Sequence, residues 1–257
     1  NIVSILRPRL NDYHKLPFTQ EEVEFAIPFL TEDIPLVVDP FLLWKSPSLQ
    51  DNSLHTVVTN CFNHLGYLTK KGREEEAVRI LIKASECDEV GLGDSAKRKG
   101  KPIGRKTATE ILSLFRDIPQ LSNVGFVHFE EIQLYVDQVA RDRISDLTCS
   151  FVKSFLVDYT IQKCQEYGIP REDCVLDIYD YKDHKFKHES VAIPVSPEKK
   201  DPILLVPKRW LRFMPWISYD DYFDNYLKNE ALISGDRAND RIAILDFNRQ
   251  NYDTVQA

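Results

Sequence analysis

Glycine is scarce and methionine nearly absent, 9 and 1 of 257 residues. So few glycines, without a fixed spacing, exclude collagen-like and glycine-rich low-complexity chains. The five cysteines are odd in number and include no CxxC pair. Neither a disulfide framework nor a structural zinc site is therefore signalled, and a reducing, cytoplasmic setting is expected. No apolar run approaches the roughly 18 residues of a membrane-spanning helix, so no span is expected. Positive charge is not in excess either: 33 Lys+Arg stand against 40 Asp+Glu, a formal −7. That balance argues against attraction of the whole surface to nucleic acid or anionic lipid. The chain opens at Asn1 without a charged-then-apolar leader and is read as part of a longer protein.

What is present is ample material for a core, with 43% hydrophobic and 11% aromatic residues. At this length the chain forms one large domain or two small ones. Thr19 with Glu22 three residues on reads as a capping box opening a helix to Phe29, and Pro35 to Pro40 as a short buried strand that delivers Asp39 to its end. Apolar positions from Leu54 to Leu68 follow the helical period, and a second helix follows Arg73. Residues 86–106 carry Gly91, Gly93, Gly100 and Gly104, break every period, and read as a long loop ended by a helix capped at Thr107. The stretch from Phe126 to Val139 fits strand and helix equally. Ile144 to Tyr167 predicts one long core helix stopped by Gly168 and Pro170. The period then changes to two, predicting strands at 175–179, 186–195 and 202–206, a tail helix at 219–232 and a strand at 242–247. The expected fold class is α+β: a helical N-terminal part over 1–120, then over 121–257 a long core helix and a small, mainly antiparallel sheet with flanking helices. The two parts can form one continuous domain.

The order helix, three strands, helix, strand over the last hundred or so residues resembles the core of the restriction-endonuclease-like nucleases. That resemblance implies a carboxylate on the second strand and a D/E-x-K pair on the third, binding metal and activating water. Here the third strand reads Ile203-Leu204-Leu205-Val206, and the nearest approaches to the pair are Asp180-Tyr181-Lys182 and Lys187-His188-Glu189. Asp142 to Leu147, with Tyr159-Thr160, is also similar to stretches in uncharacterised bacterial proteins, from which no function carries over; a bacterial defence role is among the expectations for a nuclease.

Two constellations carry chemistry. Asp142 and Asp146 lie four apart at the start of the long helix, where like charges repel unless something positive sits between them. A Mg²⁺ or Mn²⁺ ion held by Asp142, Asp146 and either Asp39 or Glu89 would supply that, with Lys182 or Lys187 stabilising charge on a scissile phosphate. The plainer reading makes Asp146 or Ser145 a helix cap and places Asp142 at the positive end of the helix dipole. Second, Lys97, Arg98, Lys99, Lys101, Arg105 and Lys106 put six cations and no acid into ten residues, directly before a helix N-terminus. Such a segment suits a nucleic-acid backbone, although it can equally be a solvated loop balancing Glu86, Asp88, Glu89 and Asp94. The spacing of Gly100, Gly104, Arg105 and Lys106 fails as a phosphate-binding P-loop. His184 and His188 are too far apart along a strand for one metal. Cys87, in an acidic setting, is expected to have a raised pKa. The aromatic run Trp210, Phe213, Trp216, Tyr219, Tyr222 and Phe223 reads as a satellite core or a partner groove. The expected function is a metal-dependent phosphodiesterase or nuclease acting on nucleic acid. The alternative is a non-catalytic module binding nucleic acid, a protein partner or a second copy.

Overall fold

The computed structural model describes residues 8–93, 98–136 and 141–213. The expected helix at 219–232 and strand at 242–247 lie outside the described residues. The element order is α1 (Leu10–His14), β1 (Leu36–Val38), α2 (Pro40–Lys45), α3 (Leu49–Lys70), α4 (Glu74–Ala84), α5 (Arg105–Asp117), α6 (Pro119–Val124), α7 (Arg141–Phe151), α8 (Lys153–Tyr167), β2 (Glu172–Asp180), β3 (Lys185–Ile193) and β4 (Leu211–Phe213), with 3₁₀ turns at Asp88–Val90, Phe129–Leu134 and Lys208–Trp210. The fold is α+β. No helix among the described residues is long and apolar enough to cross a membrane.

Helices α3, α4, α5 and α7 enclose the main core. Helix α5 buries Ala108, Ile111, Leu112 and Phe115 at helical spacing, and α4 buries Ala77, Val78, Leu81 and Ala84. Phe62 of α3 meets Phe115, Phe126 and Phe129 with ring centroids 5.6, 5.4 and 5.0 Å apart. Gly66 permits this approach, because a Cβ there would lie 2.3 Å from the Phe115 ring. Residues from both halves of the chain share this core, which also takes in Phe151, Tyr179 and Trp210. A smaller core joins Leu10, Phe18, Val23, Phe25 and Ile27 to Tyr159 and Cys164 of α8 and to Ile203 and Leu205.

The two sheets are antiparallel pairs. Strands β2 and β3 form a hairpin in register from Glu172 opposite Ile193 to Asp180 opposite Lys185. Strand β1 pairs with β4, residues 36–38 meeting 211–213. The expected third strand of a meander is instead an extended buried segment. It keeps a single antiparallel bridge, Pro202 to Val195, with the Ile203 N–H donating to Pro194 O (2.9 Å). Beyond it the Leu204 N–H donates to Glu89 O (2.8 Å) and the Leu205 N–H to the Thr160 hydroxyl (2.9 Å), so the remaining groups are spent on a loop and a helix rather than on a ladder. The restriction-endonuclease-like order is therefore not reproduced.

Three other expectations change. Half of the capping box at Thr19 forms, the Thr19 N–H donating to the Glu22 carboxylate (2.8 Å) while the Glu22 N–H donates to the Thr19 backbone O (3.2 Å), but no helix follows. Gln20 binds Phe25 O and Ile27 N, both at 2.7 Å, and the Ala26 N–H donates to Val206 O (3.0 Å), pulling the segment out straight. The long core helix is two helices broken at Val152 (φ −107°, ψ 19°). Helix α5 starts at Arg105 with Gly104 as its N-cap, ahead of the expected Thr107.

Asp51 is the most deeply buried acid of the fold, at 0% exposure. Burial pushes its pKa up, but hydrogen bonds from Arg209 and Ser46 prevail and hold it below the usual carboxylate value. The contact is two-pronged, Nε to Oδ2 at 2.6 Å and an Nη2 to Oδ1 at 2.7 Å. Arg209→Met leaves that charge unpaired and is expected to cost on the order of 3 kcal/mol, the low end for a broken buried pair because Arg209 is itself partly exposed. Urea denaturation should show a lower midpoint at unchanged slope, with much of the loss recovered in the double variant Asp51→Asn/Arg209→Met.

His55, 4% exposed, packs beside His128 at 5.9 Å, and its Nε2 has no hydrogen-bond partner. Burial pushes its pKa down to about 4. The unfolded chain binds that proton below about pH 6.5 and the folded protein does not, so stability is full above that pH and is lost as pH falls toward 4. The loss from this group is on the order of 3 kcal/mol. Calorimetry of His55→Leu should show a shallower acid limb than the parent protein.

Candidate functional site

Helix α7 is placed by a buried hydrogen bond from the Val38 N–H of β1 to the Ser145 hydroxyl (2.8 Å). Its first turns then face residues 85–89, the strap that leaves α4. Arg143 forms an ion pair with Glu86, lies 3.7 Å from Asp146 and donates to Ser85 O (3.2 Å). The positive group between Asp142 and Asp146 is thus Arg143, supplied by the helix itself, where the sequence pattern suggested a divalent cation.

One guanidinium does not balance the acids around it. Burial, then the charge of Glu86, pushes the Asp146 pKa well above the usual carboxylate range, with Arg143 opposing and Asp142 adding to the rise. Glu86 is raised as well, chiefly by burial, with Arg143 opposing and Asp88 reinforcing. Asp142 keeps one buried carboxylate oxygen, Oδ1, without a hydrogen-bond partner. A buried surplus of negative charge is the electrostatic mark of a functional cluster, and also of a structural ion-pair network.

The other expected ligands lie elsewhere. Asp39 caps α2, accepting from the Phe41 N–H (2.9 Å), and pairs with Arg212 (2.6 Å). Glu89 pairs with the buried ammonium of Lys153 (3.0 Å). Burial lowers the Lys153 pKa, but Cys87 and Glu89 overcome this and raise it. Cys87 itself is pushed well up by burial. Among the described residues no group of three or more His, Cys, Asp or Glu side chains is disposed to hold a metal ion. Of the four carboxylates expected to hold Mg²⁺ or Mn²⁺, Asp39 and Glu89 are engaged by Arg212 and Lys153, and Asp146 lies beside Arg143.

Lys187 is held by Asp180 and by Asp183 (2.6 Å) at the hairpin end. The Lys187 hydrogen bond, helped by the N–H groups of Asp183 and Lys182, lowers Asp180 to about 2. Lys182 is exposed, and its own N–H donates to Asp180 (2.9 Å).

The basic segment divides by role. Lys97 lies outside the described residues. Arg98 is buried, donating to Phe29 O (2.8 Å) and Glu89 O (2.7 Å), so it anchors the segment and is not offered to a ligand. The anchor needs Gly91 at φ 59°, because a Cβ there would lie 2.2 Å from the guanidinium. The chain continues across the acidic strap, Gly100 N–H donating to Asp88 (3.0 Å) and Ile103 N–H to the Ser85 hydroxyl (2.9 Å). Lys99, Lys101, Arg105 and Lys106 are exposed. Lys99 pairs loosely with Asp201 (3.5 Å) and Arg105 with Glu75, while Lys101 and Lys106 form no ion pair with a described residue. Arg105 and Lys106 are the first two residues of α5, which follows Gly104 with no side-chain cap and holds no acid in its first turn.

Glu86 and Lys153 escaped the sequence reading because their partners are 57 and 64 residues away. Arg143 was visible: it lies three residues before Asp146, within reach along one helix face.

The chain matches the model of a family described as Domain of unknown function (DUF8370) over residues 15–218. It belongs to that family. The DUF8370 region takes in every element from β1 to β4, and with them the Arg143 cluster and the whole basic segment. No curated protein and no solved structure matches the chain.

The raised Asp146 pKa has a thermodynamic consequence. Between the unfolded carboxylate value and the folded one, the folded protein binds the extra proton, so stability falls as pH rises through that window. Asp146→Asn keeps the shape and removes the charge, and is expected to raise the melting temperature by a few degrees at neutral pH. The gain should vanish at about pH 3, below the unfolded carboxylate value, where both states carry the proton; thermal unfolding at the two pH values checks it.

Proposed function

We propose that this DUF8370 protein is a binding module that meets a nucleic-acid backbone at the N-terminal end of α5. One observation carries the reading. Lys99 and Lys101 are exposed on a short anchored stretch that runs into α5, whose first two residues, Arg105 and Lys106, are exposed as well and whose first turn holds no acid. The helix dipole and the exposed ammonium and guanidinium groups then act on the same anion. The pairs with Asp201 and Glu75 are exposed and yield readily to a phosphate. Arg98 and the Asp88 and Ser85 hydrogen bonds hold the stretch in place without spending the exposed cations. The rest of a surface with net charge −7 repels the polymer, which limits contact to this end.

A catalytic reading, phosphodiester cleavage of the same polymer, draws its support from Glu86, Asp142 and Asp146 around Arg143, where carboxylates outnumber cations. The ion pairs that already occupy Glu86, Glu89 and Asp39 make binding the better supported of the two.

Four exposed cations predict a slope of log affinity against log salt of about −3 for DNA or RNA oligonucleotides. Lys101→Glu/Lys106→Glu should flatten that slope by about 2 and weaken binding at least tenfold at low salt. An unchanged slope would refute the assignment to this segment. The same oligonucleotides incubated with Mg²⁺ or Mn²⁺ decide the second reading: cleavage by the parent protein that is lost in both Asp142→Ala and Asp146→Ala makes the protein a phosphodiesterase.

A further inference from the structure

The turn between β2 and β3 is closed by its own side chains. The Asp180 carboxylate accepts from the N–H groups of Lys182 (2.9 Å) and Asp183 (3.0 Å) and pairs with Lys187. His184 follows in the left-handed region (φ 52°). That conformation turns its ring onto His64 of α3, where the two imidazoles stack with centroids 3.6 Å apart and planes inclined by 8°. Tyr67 extends the stack on the helix side, 5.6 Å from His64 at 30°. Both histidines are half-buried.

We propose that this stack is a proton-operated latch, which holds the β2–β3 tip on α3 while at most one imidazole is charged and releases it when both are. Two imidazolium rings face to face at this distance put like charges together where water screens them poorly. The groups facing the pair set the order of events. Asp180 and Asp183 flank His184 and favour a proton there, although both also serve Lys187. On the other side His184 and Arg73 oppose a proton on His64, and Glu76 of α4 favours one. Burial is the largest effect at each ring and disfavours the charged form, so the closed state is preferred above about pH 6.5 and gives way as pH falls. Release would uncover the ring face of His64 near the end of α3, beside the already exposed ring of Tyr67. Residues 99–106 take no part, so the latch stands or falls apart from the binding reading.

Amide hydrogen exchange on the whole chain, corrected for its intrinsic pH dependence, tests this at about pH 7.5 and about pH 5. Protection of residues 181–186 should fall by about tenfold or more, the factor for each pKa unit separating closed and open states, while 174–178 in β2 stay protected. His64→Phe keeps a ring without a charge and removes the repulsion, so its tip should lose far less protection between the two pH values than the parent's. His184→Asn tolerates the left-handed backbone but removes the ring, so its tip should be weakly protected at both. Equal protection of the parent tip at both pH values, or an undiminished fall in His64→Phe, would overturn the latch.

Discussion

The buried charge of Asp51 is the constraint on which the architecture rests. A carboxylate without solvent has to be balanced, and the balancing guanidinium comes from Arg209, 158 residues away. Satisfying Asp51 brings the Lys208–Trp210 turn to the start of α3, and β4, which follows that turn, pairs with β1. Strand β1 in turn donates from Val38 to Ser145 and seats α7. The placement of Asp142, Arg143 and Asp146 against the strap is thus the far end of a sequence of contacts that begins with one ion pair.

Around Arg143 the fold tolerates electrostatics that do not favour it. Three acids surround one guanidinium, and burial, reinforced by the charge of Glu86, raises the pKa of Asp146 against the opposing pull of Arg143. The exposed basic segment shows the opposite arrangement: four cations face water, while the fifth described one, Arg98, is taken inside to bind carbonyl oxygens. The two features are neighbours, since Gly100 and Ile103 hydrogen-bond to Asp88 and Ser85 of the strap. Gly100 lies so close to Glu86 that a Cβ would come within 2.4 Å of its carboxylate. Acid and base are therefore interlocked, and the local charge seen by an approaching anion depends on which side chains the strap has already claimed.

Much of this was legible in the sequence where the signal is local. The helical periods of α3 and α4, the strand before Pro40 and the two-residue period of β2 and β3 all correspond to observed elements. What misled was competition from distant partners. Half of the capping box at Thr19 formed without its helix because Gln20 and Val206 took the backbone groups a helix would need. The apolar run at 202–206 signalled burial correctly but pairing only at one bridge, Pro202 to Val195, since Leu204 and Leu205 bond to Glu89 and Thr160. The cation count at 97–106 could not reveal that Arg98 is spent on carbonyl groups. Nor could the spacing of Asp142 and Asp146 say whether Arg143, between them, would turn toward Glu86.

Gly66 gives the last consequence. Because it has no side chain, the ring of Phe115 beds directly against α3, and the far end of α5 is fixed among Phe62, Phe126 and Phe115 itself. The basic end of the same helix is then the free end of a clamped rod. An anion arriving there meets donors whose directions were set when the aromatic core closed, and it has little backbone entropy left to remove.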